Sequence, residues 1–197
     1  IKTKQLPHNH FLSSLKNKDL SKQVCLLRSD FNIKNADLKN YQKIIPLRIK
    51  EILATIKFLI GKKAKIVILS HRGRPKTQII ADNTQIDTDQ NVVFSLRPFA
   101  KILSFLLKKR IHFIDLKELS FINGVKKKIQ DAETGSIFIL ENLRFLSGEE
   151  KNNKKFAKQL ACLGNFYVND AFSVSHRKNA SVVAITEFLP SFAGFNM

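Results

Sequence analysis

Several residue types are scarce in this sequence of 197 residues, which has no tryptophan, 7 glycines, 2 cysteines and 1 methionine. The two cysteines, Cys25 and Cys162, show neither CxxC spacing nor the density of a disulfide scaffold, so we expect reduced thiols in a cytoplasmic protein. Apolar runs such as residues 66–69 are far shorter than the roughly 20 residues that cross a bilayer. The first residues, Ile-Lys-Thr-Lys-Gln, lack the apolar segment of a secretory signal. We therefore expect no membrane segment.

Glycine-rich phosphate-binding motifs are also missing, because neither GxGxxG nor GxxxxGK occurs in the sequence. This disfavours a nicotinamide-dependent Rossmann enzyme. Nor do His, Cys and acidic residues fall at the spacing of a metal site, so we expect no bound metal.

Acidic residues are few, since 16 Asp and Glu stand against 34 Lys and Arg, and the net charge is +18. Such a charge can indicate nucleic-acid binding, because Lys and Arg neutralise backbone phosphates. An A/T-rich codon bias gives the same abundance of Lys, Asn, Ile and Phe with little Gly and no Trp. We favour the codon bias, and a basic domain that binds nucleic acid stays as the alternative.

What is present indicates a folded core, with 44% hydrophobic and 25% charged residues. The length suits a single domain over residues 1–197. Short, continuous apolar runs recur along it, as in strands that are buried on both faces of a parallel sheet. They are residues 24–27, 66–69, 111–114, 137–140 and 166–168, with a weaker candidate at 182–185.

Between these runs lie segments with helical spacing of apolar residues, at 49–60, 96–107 and 153–163. Ser95 is placed to cap the start of the second, and Gly61 to cap the end of the first. Strand and helix thus alternate. This predicts an α/β fold, an open, mostly parallel Rossmann-like sheet of about six strands in three layers with helices on both faces.

Arginine follows four of the predicted strands, at 28, at 72 and 74, at 144 and at 177. The carboxyl ends of parallel strands meet at one edge of a sheet, which is where open α/β sheets bind ligands. Several guanidinium groups at that edge repel one another unless an anion lies between them. The pattern therefore predicts a site for a small polyanion.

Three further residues near these ends have alternative interpretations. Asp30 and Asn32 point to the same side of an extended segment, as would suit hydrogen bonds to a ligand hydroxyl, but they could equally form an Asx turn that ends the strand. His71 is either a site residue or a histidine with satisfied structural contacts.

The motifs taken together resemble the phosphoglycerate kinase family, in order and in spacing, over nearly the whole sequence. The matching segments are residues 27–32, 48–49, 70–75, 94–98, 141–145, 148–152, 167–172, 176–177, 189–191 and 193–195. The resemblance implies phosphoryl transfer between 1,3-bisphosphoglycerate and ADP, giving 3-phosphoglycerate and Mg-ATP. It also implies that this sequence is the N-terminal, 3-phosphoglycerate-binding domain and ends at the start of the interdomain hinge.

The resemblance implies a role for each matching residue. Arg48 would be catalytic, reaching toward the phosphoryl group in transfer. The substrate site would comprise Asp30, Phe31, Asn32, Arg48, His71, Arg72, Gly73, Arg74, Arg144 and Arg177. Mg-ATP or ADP would be held by a C-terminal domain, with no cofactor in this chain. A glycolytic, cytoplasmic, monomeric enzyme is implied, and residues 1–197 alone would be inactive.

Three departures from the family pattern stand out. Ile33-Lys34 replaces the usual Val-Pro, and Arg72 replaces a usually apolar residue. Residues 173–175, Ser-Val-Ser, replace the common Gly-Thr-Ala before His176 and Arg177. Loss of that glycine can alter the backbone that carries Arg177.

Overall fold

The computed structural model describes residues 10–75 and 92–197. It contains a six-stranded sheet in the order β3-β4-β2-β1-β5-β6, and every pair of neighbouring strands is parallel. The strands are β1 (Val24–Arg28), β2 (Lys65–Leu69), β3 (Ile111–Ile114), β4 (Ile137–Leu140), β5 (Phe166–Asn169) and β6 (Ser191–Ala193). The predicted α/β fold with an open parallel sheet is confirmed.

Helices connect the strands. They are α1 (Asn35–Leu38), α2 (Leu47–Gly61), α3 (Arg97–Leu107), α4 (Leu116–Leu119), α5 (Ile122–Asp131), α6 (Ser147–Glu150) and α7 (Lys154–Ala161). Short 3-10 helices lie at Leu12–Leu15, Leu143–Phe145, Phe172–Val174 and Ala184–Glu187. Within residues 10–75 and 92–197, no helix is both long enough and apolar enough to cross a bilayer.

The sheet separates two cores because successive strand residues point to opposite faces. In β1, Cys25 and Leu27 pack in the cluster that contains the buried faces of α2 and α3. Leu26, between them, packs in the second cluster with residues of α5 and α7. Both faces of the central strands are thus covered by helices, which explains why their sequences are continuously apolar rather than alternating.

The strand order of the sheet reverses between the neighbouring strands β1 and β5. From β1 the chain proceeds to β2 on one side, and after β4 it returns to β5 on the other side. In open α/β sheets this switch point, at the carboxyl ends of the strands, is the usual position of the ligand. We therefore expect a ligand site among the residues that follow β1 and β5.

Two local predictions were wrong. Residues 182–185 do not form a strand, because they belong to turns and to a 3-10 helix, and the sixth strand is Ser191–Ala193. Gly61 is the last residue of α2 rather than its cap, and the left-handed residue beyond the helix is Lys63. Ser95 lies one residue before the N-cap of α3, which is Leu96, and its Oγ accepts a hydrogen bond from the backbone N of Arg97 at 3.1 Å.

Candidate functional site

Asp30 lies just beyond β1, and its carboxylate has three hydrogen-bond donors. Oδ1 accepts from the backbone N of Asn32 at 2.9 Å, which is the Asx turn. Oδ2 accepts from Nη1 of Arg48 at 2.7 Å and from Oγ of Ser173. Arg48 comes from the first turn of α2, and it also donates to the backbone O of Asn32 at 3.1 Å. The predicted Asp30, Asn32 and Arg48 are therefore brought together.

Gly73 joins the loop after β2 to the loop after β1. Its backbone N donates to Oδ1 of Asn32 at 2.8 Å. Its φ is +61°, and a Cβ built at this position would lie 2.2 Å from Cε1 of Phe94. The position therefore requires glycine both for backbone conformation and for the close approach of the Phe94 ring.

A buried polar network begins at Arg28, the last residue of β1. Its Nε donates to Oγ of Ser181 at 3.0 Å. Oγ of Ser181 in turn donates to Oε1 of Glu149 at 2.6 Å, and the backbone N of Ser181 donates to Oε2 at 3.0 Å. Arg28, Ser181 and Glu149 all have 0% exposure. The positive charge of Arg28 is thus balanced by a buried carboxylate through one shared hydroxyl.

His71 lies at the other end of this network, with Nη2 of Arg28 2.8 Å from its Nδ1. A guanidinium can only donate, so Nδ1 is the acceptor and the ring proton of the neutral imidazole is on Nε2. Burial, followed by the charges of Arg28, Arg144, Arg177 and Arg48, lowers the pKa of His71 to about 2. Nε2 is buried and has no hydrogen-bond partner among the described residues. The histidine is thus a neutral donor with an unused N–H.

Arg144, which follows β4, is 3% exposed. Its Nη1 donates to the backbone O of Gly73 at 2.6 Å. Its Nε lies 3.2 Å from Oε1 of Glu150, an ion pair that lacks the alignment of a hydrogen bond. Burial lowers the pKa of Arg144 although Glu150 opposes that shift. The guanidinium is therefore tied to the Gly73 turn by a hydrogen bond and to Glu150 by an ion pair.

Arg72 is turned away from these groups. Its Nε donates to the backbone O of Ile33 at 2.9 Å, Nη1 to that of Ser95 at 3.2 Å, and Nη2 to Oδ1 of Asn35 at 2.5 Å. All three guanidinium nitrogens are occupied, and the group also lies over the ring of Phe99 at 5.4 Å. Arg72 therefore ties loops together. The expectation that it adds its charge to the anion site is not supported by these contacts.

Phe31 also faces inward. Its ring is fully buried and stacks on that of Phe99 with centroids 4.7 Å apart. Its backbone N donates to Oγ of Ser70 at 3.0 Å. The Phe31 side chain is thus part of the core beneath the site. Of the predicted substrate contact, only one through backbone atoms of Phe31 is compatible with this position.

Arg74 and Arg177 are the more accessible arginines. Arg74 is exposed at the end of the described loop, and Arg177 is half-buried after the 3-10 helix Phe172–Val174. The backbone N of Arg177 donates to the O of Val174 at 3.0 Å. The charge of Arg177 helps to lower the pKa of both His71 and Arg144, so this residue is within electrostatic range of both groups.

A cavity of about 340 Å³ adjoins Asp30 between α2, the loop after β5 and the C-terminal segment. Its lining includes the carboxyl groups of Asp30, Glu51 and Asp170 but only one guanidinium, that of Arg48. His71, Arg144 and Arg177 do not line it. The cavity is therefore unsuited to a polyanion.

Asp170 lines the same cavity and holds the C-terminal segment. Its Oδ1 accepts from the backbone N of Asn196 at 2.8 Å, and Oδ2 accepts from Nδ2 of the same residue at 3.0 Å. Burial raises the pKa of Asp170, which hydrogen bonds from Thr55 and Asn196 oppose. Since Thr55 belongs to α2, one carboxylate connects β5, α2 and the end of the chain.

The protonation state of His71 can be tested through stability. In the unfolded chain its pKa returns to about 6.5, whereas the native value is about 2. Between these values the unfolded state binds more protons, so the stability contributed by neutral His71 is full above pH 6.5 and is lost as pH falls. We expect wild type to lose about 2 kcal/mol more than His71→Gln between pH 7 and pH 5.

Urea unfolding of both chains at pH 7, 6 and 5 measures this difference. Glutamine retains an acceptor for Arg28 and does not titrate. Parallel pH dependences for the two chains would show that the pKa of His71 is the same in the native and unfolded states, which would contradict a buried, neutral histidine.

Ser181, Glu149 and Ser173 were not predicted as site residues. Glu149 lay within a matching segment, and Ser173 was noted only as a departure from the pattern. Their contacts join positions separated by 32 residues for Ser181 and Glu149 and by 143 for Ser173 and Asp30. Single serine and glutamate residues belong to no local sequence motif that would mark such long-range pairs.

Comparison with known proteins assigns the family. The family model described as phosphoglycerate kinase matches residues 15–197. A phosphoglycerate kinase from the Wolbachia of Drosophila simulans is 43% identical over 190 residues, covering 93% of this chain and 42% of the relative. One from Geotalea uraniireducens is 42% identical over 181 residues, covering 91% and 41%. The chain thus spans about two fifths of the length of these curated relatives.

Solved structures give the same result. Phosphoglycerate kinase from Coxiella burnetii superposes with a TM-score of 0.71 at 32% identity, over 91% of this chain and 41% of the other. The enzyme from Pyrococcus horikoshii gives 0.72 at 29% identity, over 93% and 42%. With the parallel sheet and the arginines at its switch point, these matches show that the chain belongs to the phosphoglycerate kinase family.

Proposed function

We propose that residues 1–197 form one domain that binds 3-phosphoglycerate or 1,3-bisphosphoglycerate. The observation that carries this proposal is a buried histidine, His71, whose Nδ1 lies 2.8 Å from Nη2 of Arg28 and whose Nε2–H has no partner in the described part of the chain. The charges of Arg144, Arg177 and Arg48 also help to lower its pKa. Guanidinium groups and a buried N–H donor together suit phosphate or carboxylate oxygens. An anion would offset the mutual repulsion of the arginines.

The anionic oxygens and the hydroxyl of the proposed ligand meet different groups. Its anionic oxygens would lie beside His71, Arg74, Arg144 and Arg177, where the positive charge is concentrated. Its hydroxyl would lie toward Asp30 and Asn32, which provide carboxylate and amide oxygens as acceptors. A phosphoglycerate carries both kinds of group, because it has a hydroxyl between a phosphate and a carboxylate.

Arg48 is the proposed catalytic residue. In the structure its guanidinium is paired with Asp30 and is 41% exposed. Because the Asp30 side chain is only 9% exposed, this pair is stronger than a fully exposed one, and we expect Arg48 to leave Asp30 for the charged phosphoryl group but not for a neutral hydroxyl. Released from Asp30, Arg48 would stabilise the charge that spreads over the oxygens of the transferring phosphoryl group.

The nucleotide is the second substrate of the proposed glycolytic reaction. We assign Mg-ATP and ADP to a C-terminal domain, since the relatives extend well beyond the matched length and the chain contains no glycine-rich phosphate loop. Residues 1–197 on their own would then bind the glycerate but not transfer a phosphoryl group. We propose a monomeric, cytoplasmic enzyme.

Calorimetric titration with 3-phosphoglycerate tests this function. We expect saturable binding that weakens about tenfold in Arg74→Ala, because one charge-assisted contact is lost. Arg110→Ala removes an exposed arginine next to the start of β3, at the opposite edge of the sheet, and should bind like wild type. A folded wild-type chain that does not bind 3-phosphoglycerate would overturn the proposal.

Nucleic-acid binding remains the alternative, motivated by the net charge of +18. Titration with single-stranded RNA at low and moderate salt separates the two functions. Steeply salt-dependent RNA binding that 3-phosphoglycerate does not displace would favour the alternative. Arg28 and Arg72 are buried in internal contacts, so they would not contribute to a nucleic-acid surface.

A further inference from the structure

Ser173 forms a hydrogen bond with Oδ2 of Asp30, the carboxylate oxygen that also accepts from Arg48. It is an exposed residue of the 3-10 helix Phe172–Val174, which follows β5 at the switch point of the sheet. Its Oγ donates to Oδ2 of Asp30. A hydroxyl of the protein thus lies on the carboxylate that we assigned to the ligand hydroxyl.

The acceptor sites of Asp30 are nearly filled without a ligand. A carboxylate has about four lone-pair sites. Three are used, one on Oδ1 by Asn32 and two on Oδ2 by Arg48 and Ser173. Because Asp30 is only 9% exposed, an additional donor has little access to it. A ligand hydroxyl must therefore displace one of the two donors on Oδ2.

Ser173 is the donor more easily displaced. Arg48 has a charged contact of 2.7 Å to Asp30 and a second hydrogen bond to the backbone of Asn32. Ser173 is neutral, and being exposed it can turn its hydroxyl to water. Exchange of one hydroxyl for another is close to neutral in free energy, so the ligand gains little from its own hydroxyl.

We propose that Ser173 is a specificity-determining residue, which competes with the ligand hydroxyl for Oδ2 of Asp30 and so reduces the preference for hydroxylated over deoxygenated phosphocarboxylates. This inference rests on the proposed function, in which Asp30 accepts the hydroxyl of 3-phosphoglycerate. The structure adds that this acceptor is partly occupied by the protein itself.

The test compares two ligands and three chains by calorimetry. The ligands are 3-phosphoglycerate and 3-phosphonooxypropanoate, which lacks the 2-hydroxyl. The chains are wild type, Ser173→Ala and Ser175→Ala. Ser175 is the matched control, because its Oγ donates to the backbone O of Phe172 at 2.8 Å in the same loop. Ser173→Gly is a second variant should alanine perturb the fold.

We expect Ser173→Ala and Ser173→Gly to bind 3-phosphoglycerate about fivefold more tightly than wild type, the effect of one freed neutral hydrogen bond. Affinity for 3-phosphonooxypropanoate should not change, and Ser175→Ala should resemble wild type with both ligands.

Other outcomes separate this inference from the proposed function. Equal or weaker binding of 3-phosphoglycerate by the Ser173 variants overturns the role of Ser173 and leaves the proposed function in place. An equal gain for both ligands also overturns it, because the effect would not involve the hydroxyl. Failure of every chain to bind either ligand overturns the inference and the proposed function together.

Discussion

Glu149→Ala is expected to lower the free energy of unfolding by about 4 kcal/mol, the range for removing a buried carboxylate that balances a buried charge. The carboxylate accepts hydrogen bonds from the backbone and the hydroxyl of Ser181 and lies 3.4 Å from Nδ2 of Asn179. Its removal leaves these donors buried without partners, and Arg28 without its countercharge. Urea unfolding at pH 7 measures the loss, which is a large part of the stability of a typical domain, about 5–15 kcal/mol.

Two variants calibrate this result. Glu187→Ala breaks an ion pair with Lys154 in which Glu187 is 46% exposed, and it should cost under about 1 kcal/mol. Glu149→Gln keeps a carbonyl acceptor for Ser181 and should recover part of the loss. A loss for Glu149→Ala as small as that for Glu187→Ala would show that the network is not a structural requirement.

Gly73→Ala is expected to cost about 3 kcal/mol. The left-handed backbone at φ +61° adds about 1 kcal/mol for alanine. The new Cβ would also lie 2.2 Å from Cε1 of Phe94, so the ring must move, and such overpacking adds about 1–3 kcal/mol. Because Gly73 contacts both Asn32 and Arg144, its displacement should also weaken 3-phosphoglycerate binding.

Gly135→Ala separates the two contributions to that loss. Gly135 has a φ of +74°, but nothing lies within 4 Å of a Cβ at this position. Alanine there should therefore cost about 1 kcal/mol from the backbone alone. Urea unfolding of both variants measures the difference, and equal losses would show that the Phe94 contact costs nothing.

The sequence predicted the sheet well because its central strands are buried on both faces. The continuous apolar run at 137–140 corresponds to β4 without change, and those at 24–27 and 66–69 lie within β1 and β2. The run at 111–114 also matches β3, although this edge strand is only partly buried. The three-residue strand β6 was missed, since so short a segment has no periodicity. Helix α5 was also missed, although Ile122, Val125 and Ile129 are spaced for one helical face.

The candidate site was predicted in outline, but the orientation of its arginines was not. Arg72 and Arg74 are near neighbours in one loop, yet the first is buried against backbone carbonyls and the second is exposed. Which of them faces the site depends on carbonyl groups at Ile33 and Ser95, remote in sequence. No local pattern specifies such contacts, and they arise only when the loops have packed.

The most direct test of the proposed site is an NMR titration of the histidine side chains with 3-phosphoglycerate, with the His71 signals assigned through His71→Gln. We expect a neutral His71 whose Nε2–H signal shifts and saturates with the ligand, while its Nδ1 stays unprotonated. Saturable binding that leaves the His71 signals unchanged would contradict the assignment of the site.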